Sequence, residues 1–190
     1  MVCHSVAMAI VHRADITPPK LDLIGWWLAT QDWFTEDGPV EREAAFRLDD
    51  PAGEVGIETF IVRSGAFTFH VPVTYRSQPL ADGLLVGELE HSVLGHRWVY
   101  DGPSDPVYVA TTSAAIANGG HEVDMFFEDG TQLPRPDWYA SATGSGTSSG
   151  EVVGALAVAR SLPAPVPPGV ATLDVTWVGL ASPMTVAWLS

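Results

Sequence analysis

The stretch LEHSVLGHRWVYDGPSDPVY, Leu89 to Tyr108, decides how the rest of this 190-residue chain is read. It packs two histidines, two aspartates, a glutamate and three large aromatics into one short run. Such a concentration invites an active-site reading, but the same residues also spell out a local structure. LEH and HRWVYD alternate as strands around a glycine turn at Gly95. Asp105 followed by Pro106 is a helix start: the carboxylate accepts a free N–H of the first turn, and proline there sacrifices no hydrogen bond. Asn118, Gly119 and Gly120 supply the stop, so a helix shorter than the N-terminal one is expected between them.

Upstream, the period is two. AAFRL from Ala44, EVGIETFIVRS, and AFTFHVPVTYR after a tight Ser64-Gly65 link predict an antiparallel hairpin. In its second arm Phe67, Phe69, Val71 and Val73 share one face; Thr68, His70, Pro72 and Thr74 share the other, which is expected to be largely exposed. Pro72 suggests an edge strand or a bulge. Before the hairpin, DITPPKLDLIGWWLATQDWF places Leu21, Ile24, Trp27 and Leu28 on one helical face, with Asp15 or Thr17 as the cap and an end near Gln31 or Trp33.

Downstream, HEVDMFFEDGTQL, DWYASATG, EVVGALAVARS, ATLDVTWVGL and PMTVAWLS alternate between breakers and read as strands. Thr143 to Gly150 (TGSGTSSG) is expected to be a flexible loop, and Leu162 to Gly169 (LPAPVPPG) a stiffer connector. The fold class is therefore α+β, with an antiparallel sheet on few helices. Residues 1–12 form an irregular lead-in, 13–120 the main α+β region, and 121–190 a β-rich extension sharing or adjoining the same sheet.

Composition narrows the function. Twenty-three acidic against nine basic residues give a formal charge of −14, which repels nucleic-acid phosphates and acidic membrane surfaces, so neither is an expected partner. A single cysteine, Cys3, excludes an intramolecular disulfide and fits a reducing compartment. The opening apolar run lacks a preceding basic segment, and no apolar stretch has membrane-helix length; a cytoplasmic location is expected, with translation starting at Met1 or Met8.

VPVTYRSQPL (Val71 to Leu80) followed by LVGELEHSVLGHRWVYDGPSDPVYVA resembles the N-terminal cap domain of bacterial maltokinases and its stand-alone relatives. FRLDDPAGEVGIETFIV, Phe46 to Val62, is similar to the preceding strand of the stand-alone relatives. WLATQDWF is similar to the cap's opening element without its basic pair. Over residues 10 to 118 this resemblance implies a curved, cystatin-like antiparallel sheet with a helix. It also implies a place in trehalose, maltose and α-glucan metabolism, where a maltokinase joins the cap to a kinase body. The kinase's own motifs are not found in this sequence: it shows no Gly-rich phosphate loop with lysine, no catalytic-loop Asp and Asn, and no DFG-like aspartate. α-Glucan branching would require a barrel with paired carboxylates.

The residues left for chemistry each have a structural alternative. His91 and His96 with Glu88, Glu90 and Asp101 could in principle ligate a metal, but the Gly95 turn leaves the position of His96 open. Asp101 and Asp105 serve the turn and the helix start, and Arg97 and Tyr100 are expected to pair with them. His121 to Gly130 reads as a strand and turn, and Ser92 and Ser104 lack a nucleophile-elbow context. Trp26, Trp33, Trp138 and Tyr139 are candidates for a sugar platform or a protein interface. The candidate ligand-binding set is thus Trp33, His91, Arg97, Tyr100 and Asp101, with no catalytic residue, no metal and no cofactor assigned. The expected role is a non-catalytic binding or regulatory module whose partner is a sugar kinase, an α-glucan enzyme or a second copy. The alternative is a small sugar-binding protein or enzyme using His91 to Asp105.

Overall fold

The computed structural model describes residues 9–11, 14–147 and 152–190. In chain order the elements are β1 (Ala9–Val11), β2 (Ile16–Thr17), α1 (Lys20–Leu28), β3 (Glu41–Leu48), β4 (Gly56–Ser64), β5 (Phe67–Arg76), β6 (Leu85–His91) and β7 (Gly95–Asp101). A 3-10 turn (Gly102–Ser104) then leads into α2 (Pro106–Asn118). The rest of the chain forms β8 (Met125–Phe127), β9 (Ser141–Gly144), β10 (Leu156–Val158), β11 (Ser161–Leu162), β12 (Ala171–Thr176) and β13 (Met184–Leu189). Ala9–Val11, inside the stretch expected to be irregular, pairs in parallel with Met125–Phe127.

The main sheet is antiparallel and strongly curled, ordered β2-β6-β7-β5-β4-β3, with β11 added alongside β5. A second, four-stranded sheet runs β10-β13-β12-β9 and packs on α2. This is the α+β architecture that the period-two pattern predicts. The Ser64-Gly65 link is a tight hairpin, with Ser64 opposite Phe67 and Gly65 in the left-handed region at φ 57°.

Both faces of the main sheet are covered, not one. Ala45, Phe60, Val62, Phe69, Val71, Val73, Leu89 and Val99 pack under Leu23, Ile24, Trp27 and Leu28 of α1. The opposite face, with Ala44, Phe46, Leu48, Ile57 and Ile61, forms one core with Tyr108 and Ile116 of α2 and with Leu173, Val175, Val186 and Ala187 of the second sheet. The expectation of an exposed His70–Thr74 face fails for this reason: His70 and Thr74 are fully buried, because α2 and the C-terminal strands return over them.

Pro72 lies on an internal strand, where its missing donor still costs nothing. One edge of β5 is shared by two strands, β11 opposite Thr68 and Phe69 and β7 opposite Val73 to Arg76. The His70 N–H, two residues from Pro72 on the same edge, donates to the Arg160 carbonyl at 2.9 Å. Pro72 occupies the break between the two partners. Gly102 marks where the chain leaves: a Cβ there would come within 3.0 Å of both Pro72 Cβ and Tyr108 Cδ2.

α2 begins and ends as its sequence dictates. The Asp105 carboxylate accepts the Val107 N–H, Pro106 opens the helix, and Gly119 closes it at φ 65°. Its 13 residues exceed the 9 of α1, reversing the expected order of lengths. α1 has no side-chain cap and stops at Leu28, short of Gln31. Asp15 and Thr17 do not cap it because the Asp15 backbone and Ile16–Thr17 are committed to β6 and its following turn.

The glycine-rich stretch begins as structure. Thr143 and Gly144 belong to β9, whereas Ser148 to Gly150 lie outside the described residues. A Cβ on Gly144 or Gly146 would meet the carbonyl oxygen of Ala115 or Ala117, so these glycines let the strand pass against the C-terminal end of α2. Gly146 N–H donates to the Ile116 carbonyl at 2.9 Å, which spends it on the negative end of a helix instead of on a phosphate. Gly144→Ala is expected to lower stability by about 1–3 kcal/mol, whereas Gly38→Ala, where the nearest atom is 3.4 Å away, should change it by about 0.5 kcal/mol or less; urea unfolding of both variants measures the difference.

Candidate functional site

The polar residues of Leu89 to Tyr108 separate into two groups at opposite ends of β7. At the hairpin end, His91 Nδ1 accepts the N–H groups of Val93 and Leu94, at 3.3 and 3.1 Å, and so shapes the turn that Gly95 closes at φ 74°. His96 faces Glu90 across the ladder. Its Nδ1 lies 2.7 Å from Glu90 Oε1 and its Nε2 lies 3.0 Å from Glu88 Oε2. The hydrogen bond to Glu90, with Glu88 adding to it, raises the His96 pKa above the ordinary imidazole value. Both ring nitrogens are thereby directed at carboxylates, and among the described residues no group of three or more His, Cys, Asp or Glu side chains is arranged to hold a metal.

At the other end, the aspartates are buried and held by cations. Asp101 receives both terminal nitrogens of Arg160, at 2.9 and 2.5 Å, with only 4% of its side chain exposed. Asp105 takes Arg76 Nε and a terminal Arg76 nitrogen, both at 2.7 Å, the Thr74 hydroxyl at 2.7 Å and the Val107 N–H at 2.9 Å. Burial alone would raise the Asp105 pKa, but the Arg76 and Thr74 hydrogen bonds outweigh it and hold it below the ordinary carboxylate value. These forks correct the expectation that Arg97 and Tyr100 pair with the aspartates. Arg97 donates to the His96 carbonyl, and the Tyr100 hydroxyl accepts the Leu80 N–H at 2.8 Å.

Trp33 is half-buried, edge-on to Trp27 with ring centres 5.8 Å apart. The Arg160 guanidinium stands 5.0 Å from the Trp33 ring centre. Trp33, Arg160 and Asp101 therefore meet, while His91 and Arg97 lie toward the hairpin and take no part in this contact.

A third cluster carries charge that the motifs did not reveal. Glu58 on β4 accepts Lys20 Nζ at 2.5 Å and the Tyr75 hydroxyl at 2.9 Å, with Arg47 at 3.5 Å. Its burial would raise the pKa, yet Lys20 and then Arg47 bring it down to about 2. The signal was in the alternation: Glu58 shares its strand face with Phe60 and Val62, a carboxylate in an apolar row that demands a counter-charge. Beside the start of α2 lies an open groove of about 620 Å³, lined mainly by Pro103, Ser104, Pro106, Val109, Ala110 and Val152, all uncharged.

Two consequences are measurable. Removing one member of a buried ion pair strands the other, so Arg160→Ala should cost about 3–5 kcal/mol in chemical unfolding, and Arg97→Ala about 0.5 kcal/mol or less. Glu58 has a folded pKa of about 2 against an ordinary 4.5, so its stabilisation is complete above pH 4.5 and lost as pH falls from there toward 2. Glu58→Gln should lower stability at neutral pH and flatten that acid limb; an unchanged limb would show that Glu58 does not hold its charge in the fold.

Residues 27–105 match the family model of the maltokinase N-terminal cap domain. The matched stretch is less than half of the chain; it begins in α1 and ends on the Asp105 cap, and Arg160 lies beyond it. No curated protein and no solved structure matches the chain.

Proposed function

We propose, from the cap-like region at residues 27–105, that the chain is a non-catalytic binding or regulatory module serving maltose and α-glucan metabolism. In this reading it acts by docking onto a sugar kinase or an α-glucan enzyme, or onto a second copy of itself. The observation that carries the reading is the state of its carboxylates. Asp101, Asp105 and Glu58 are each buried against a cation of the same chain. General acid–base work needs a carboxyl within reach of a substrate proton and with a pKa near the working pH. Asp105 and Glu58 are pulled in the opposite direction. Among the described residues that line it, the groove beside α2 contains none of these groups and no charged side chain.

The contact of Trp33 with the Arg160–Asp101 fork favours the sugar-binding alternative, since sugars stack on aromatic rings and bond to planar polar groups. One set of measurements separates the readings. The purified chain is mixed with maltose and ATP and assayed for phosphoryl transfer, titrated with maltose and trehalose by calorimetry, and mixed with a maltokinase lacking its own cap. The expected result is no turnover, no sugar heat, and either a complex or a changed KM of the kinase. Turnover by the chain alone would overturn the non-catalytic reading, and a saturable sugar heat abolished by Trp33→Ala would move the function to carbohydrate binding.

A further inference from the structure

We infer that residues 159–162 are a clasp on the edge of β5 which protonation of His70 loosens, giving the chain an acid-sensitive joint between its two sheets. The clasp is short and has two sides. Toward the main sheet, the Ala159 carbonyl accepts His70 Nδ1–H at 2.8 Å, the Arg160 carbonyl accepts the His70 backbone N–H, and Ser161–Leu162 pair with Phe69 and Thr68. Toward the second sheet, the Ala159 N–H donates to the Val186 carbonyl at 2.9 Å. His70 therefore holds, by ring and by backbone, the segment through which one sheet hangs on the other.

The ring is built to be neutral. With Nδ1–H given to Ala159, the free lone pair is on Nε2, and that atom is buried with no hydrogen-bond partner among the described residues. A histidinium there would carry a second N–H with no acceptor, inside a residue only 1% exposed. The surrounding charges give it no help. From the clasp comes Arg160, a cation already bound to Asp101 of β7. α2, which shares Arg160 as a neighbour, contributes the Tyr108 phenol, whose pKa burial raises, and further along β5 Thr74 and Arg76 are both engaged by Asp105. Burial, partly offset by the Ala159 bond and reinforced by Arg160, holds the His70 pKa down at about 3. A folded pKa below the ordinary 6.5 means that the stabilisation is complete above pH 6.5 and is drawn down as pH falls through the range toward 3. The cheapest way for the ring to reach water and a proton is for the clasp to lift, because its two-residue strand has fewer ladder bonds to break than any neighbour on β5.

Amide exchange followed by NMR tests this between about pH 7.5 and about pH 5.5, a window in which carboxylates of ordinary or lowered pKa stay mostly ionised. After correction for the intrinsic pH dependence, protection of the His70 amide should fall about tenfold or more relative to amides of β6 and β7. His70→Gln keeps a donor for Ala159 but gains no proton, and should abolish that step. A step of the same size in His70→Gln, or loss of protection in β6 and β7 in parallel with His70, would overturn the proposal. Should the variant not fold, the wild-type ring decides: its resonances should change together with His70 amide protection, and a ring titrating near pH 6.5 with protection unchanged would overturn the clasp.

Discussion

Asp101 stands where β7 leaves the sheet, and a carboxylate buried there calls for a cation as its partner. The cation is Arg160, 59 residues further along the chain. Its guanidinium forks onto Asp101 and reaches Trp33, while its backbone carbonyl takes the N–H of His70. One residue thus closes the gap on β5 that β7 vacates, neutralises the charge at that gap, and fastens the second sheet to the first. Pro72 and Gly102 are the backbone side of the same arrangement: the first needs no partner at the break, the second lets the chain turn away from it.

The rest of the charge distribution follows a similar economy. Lys20, Arg47, Arg76, Arg135 and Arg160 each face carboxylates that the fold buries or half-buries. A chain with only nine basic residues has thereby committed many of them inward, and its formal charge of −14 is carried mostly by acidic residues facing water.

What was legible in the sequence was local. The hairpin through Ser64 and Gly65, the Asp105-Pro106 start and Gly119 stop of α2, and the alternating C-terminal strands follow from turn chemistry and periodicity within a few residues. Partners distant in the chain were not legible. Arg97 and Tyr100 are natural choices for Asp101 because they are its neighbours, but Tyr100 alternates to the other face of β7, Arg97 stands four residues back along the strand and donates to the His96 carbonyl, and the role falls to Arg160. The covered second face of β5 was missed for the same reason: Thr68, His70 and Thr74 look solvent-facing until α2 and the C-terminal strands are laid over them. Gly144 and Gly146 read as flexibility, although what they supply is room for α2.

The ion pair of Asp101 with Arg160 joins residues 27–105 and the C-terminal strands into one cooperative unit. This is tested most directly by native-state amide exchange of the whole chain at pH 7.5 in increasing sub-denaturing urea. The slowest amides of β4 and β5 and those of β12 and β13 should converge on the same opening free energy with the same urea dependence. Separate plateaus, with β12 and β13 opening while β4 and β5 stay protected, would contradict it.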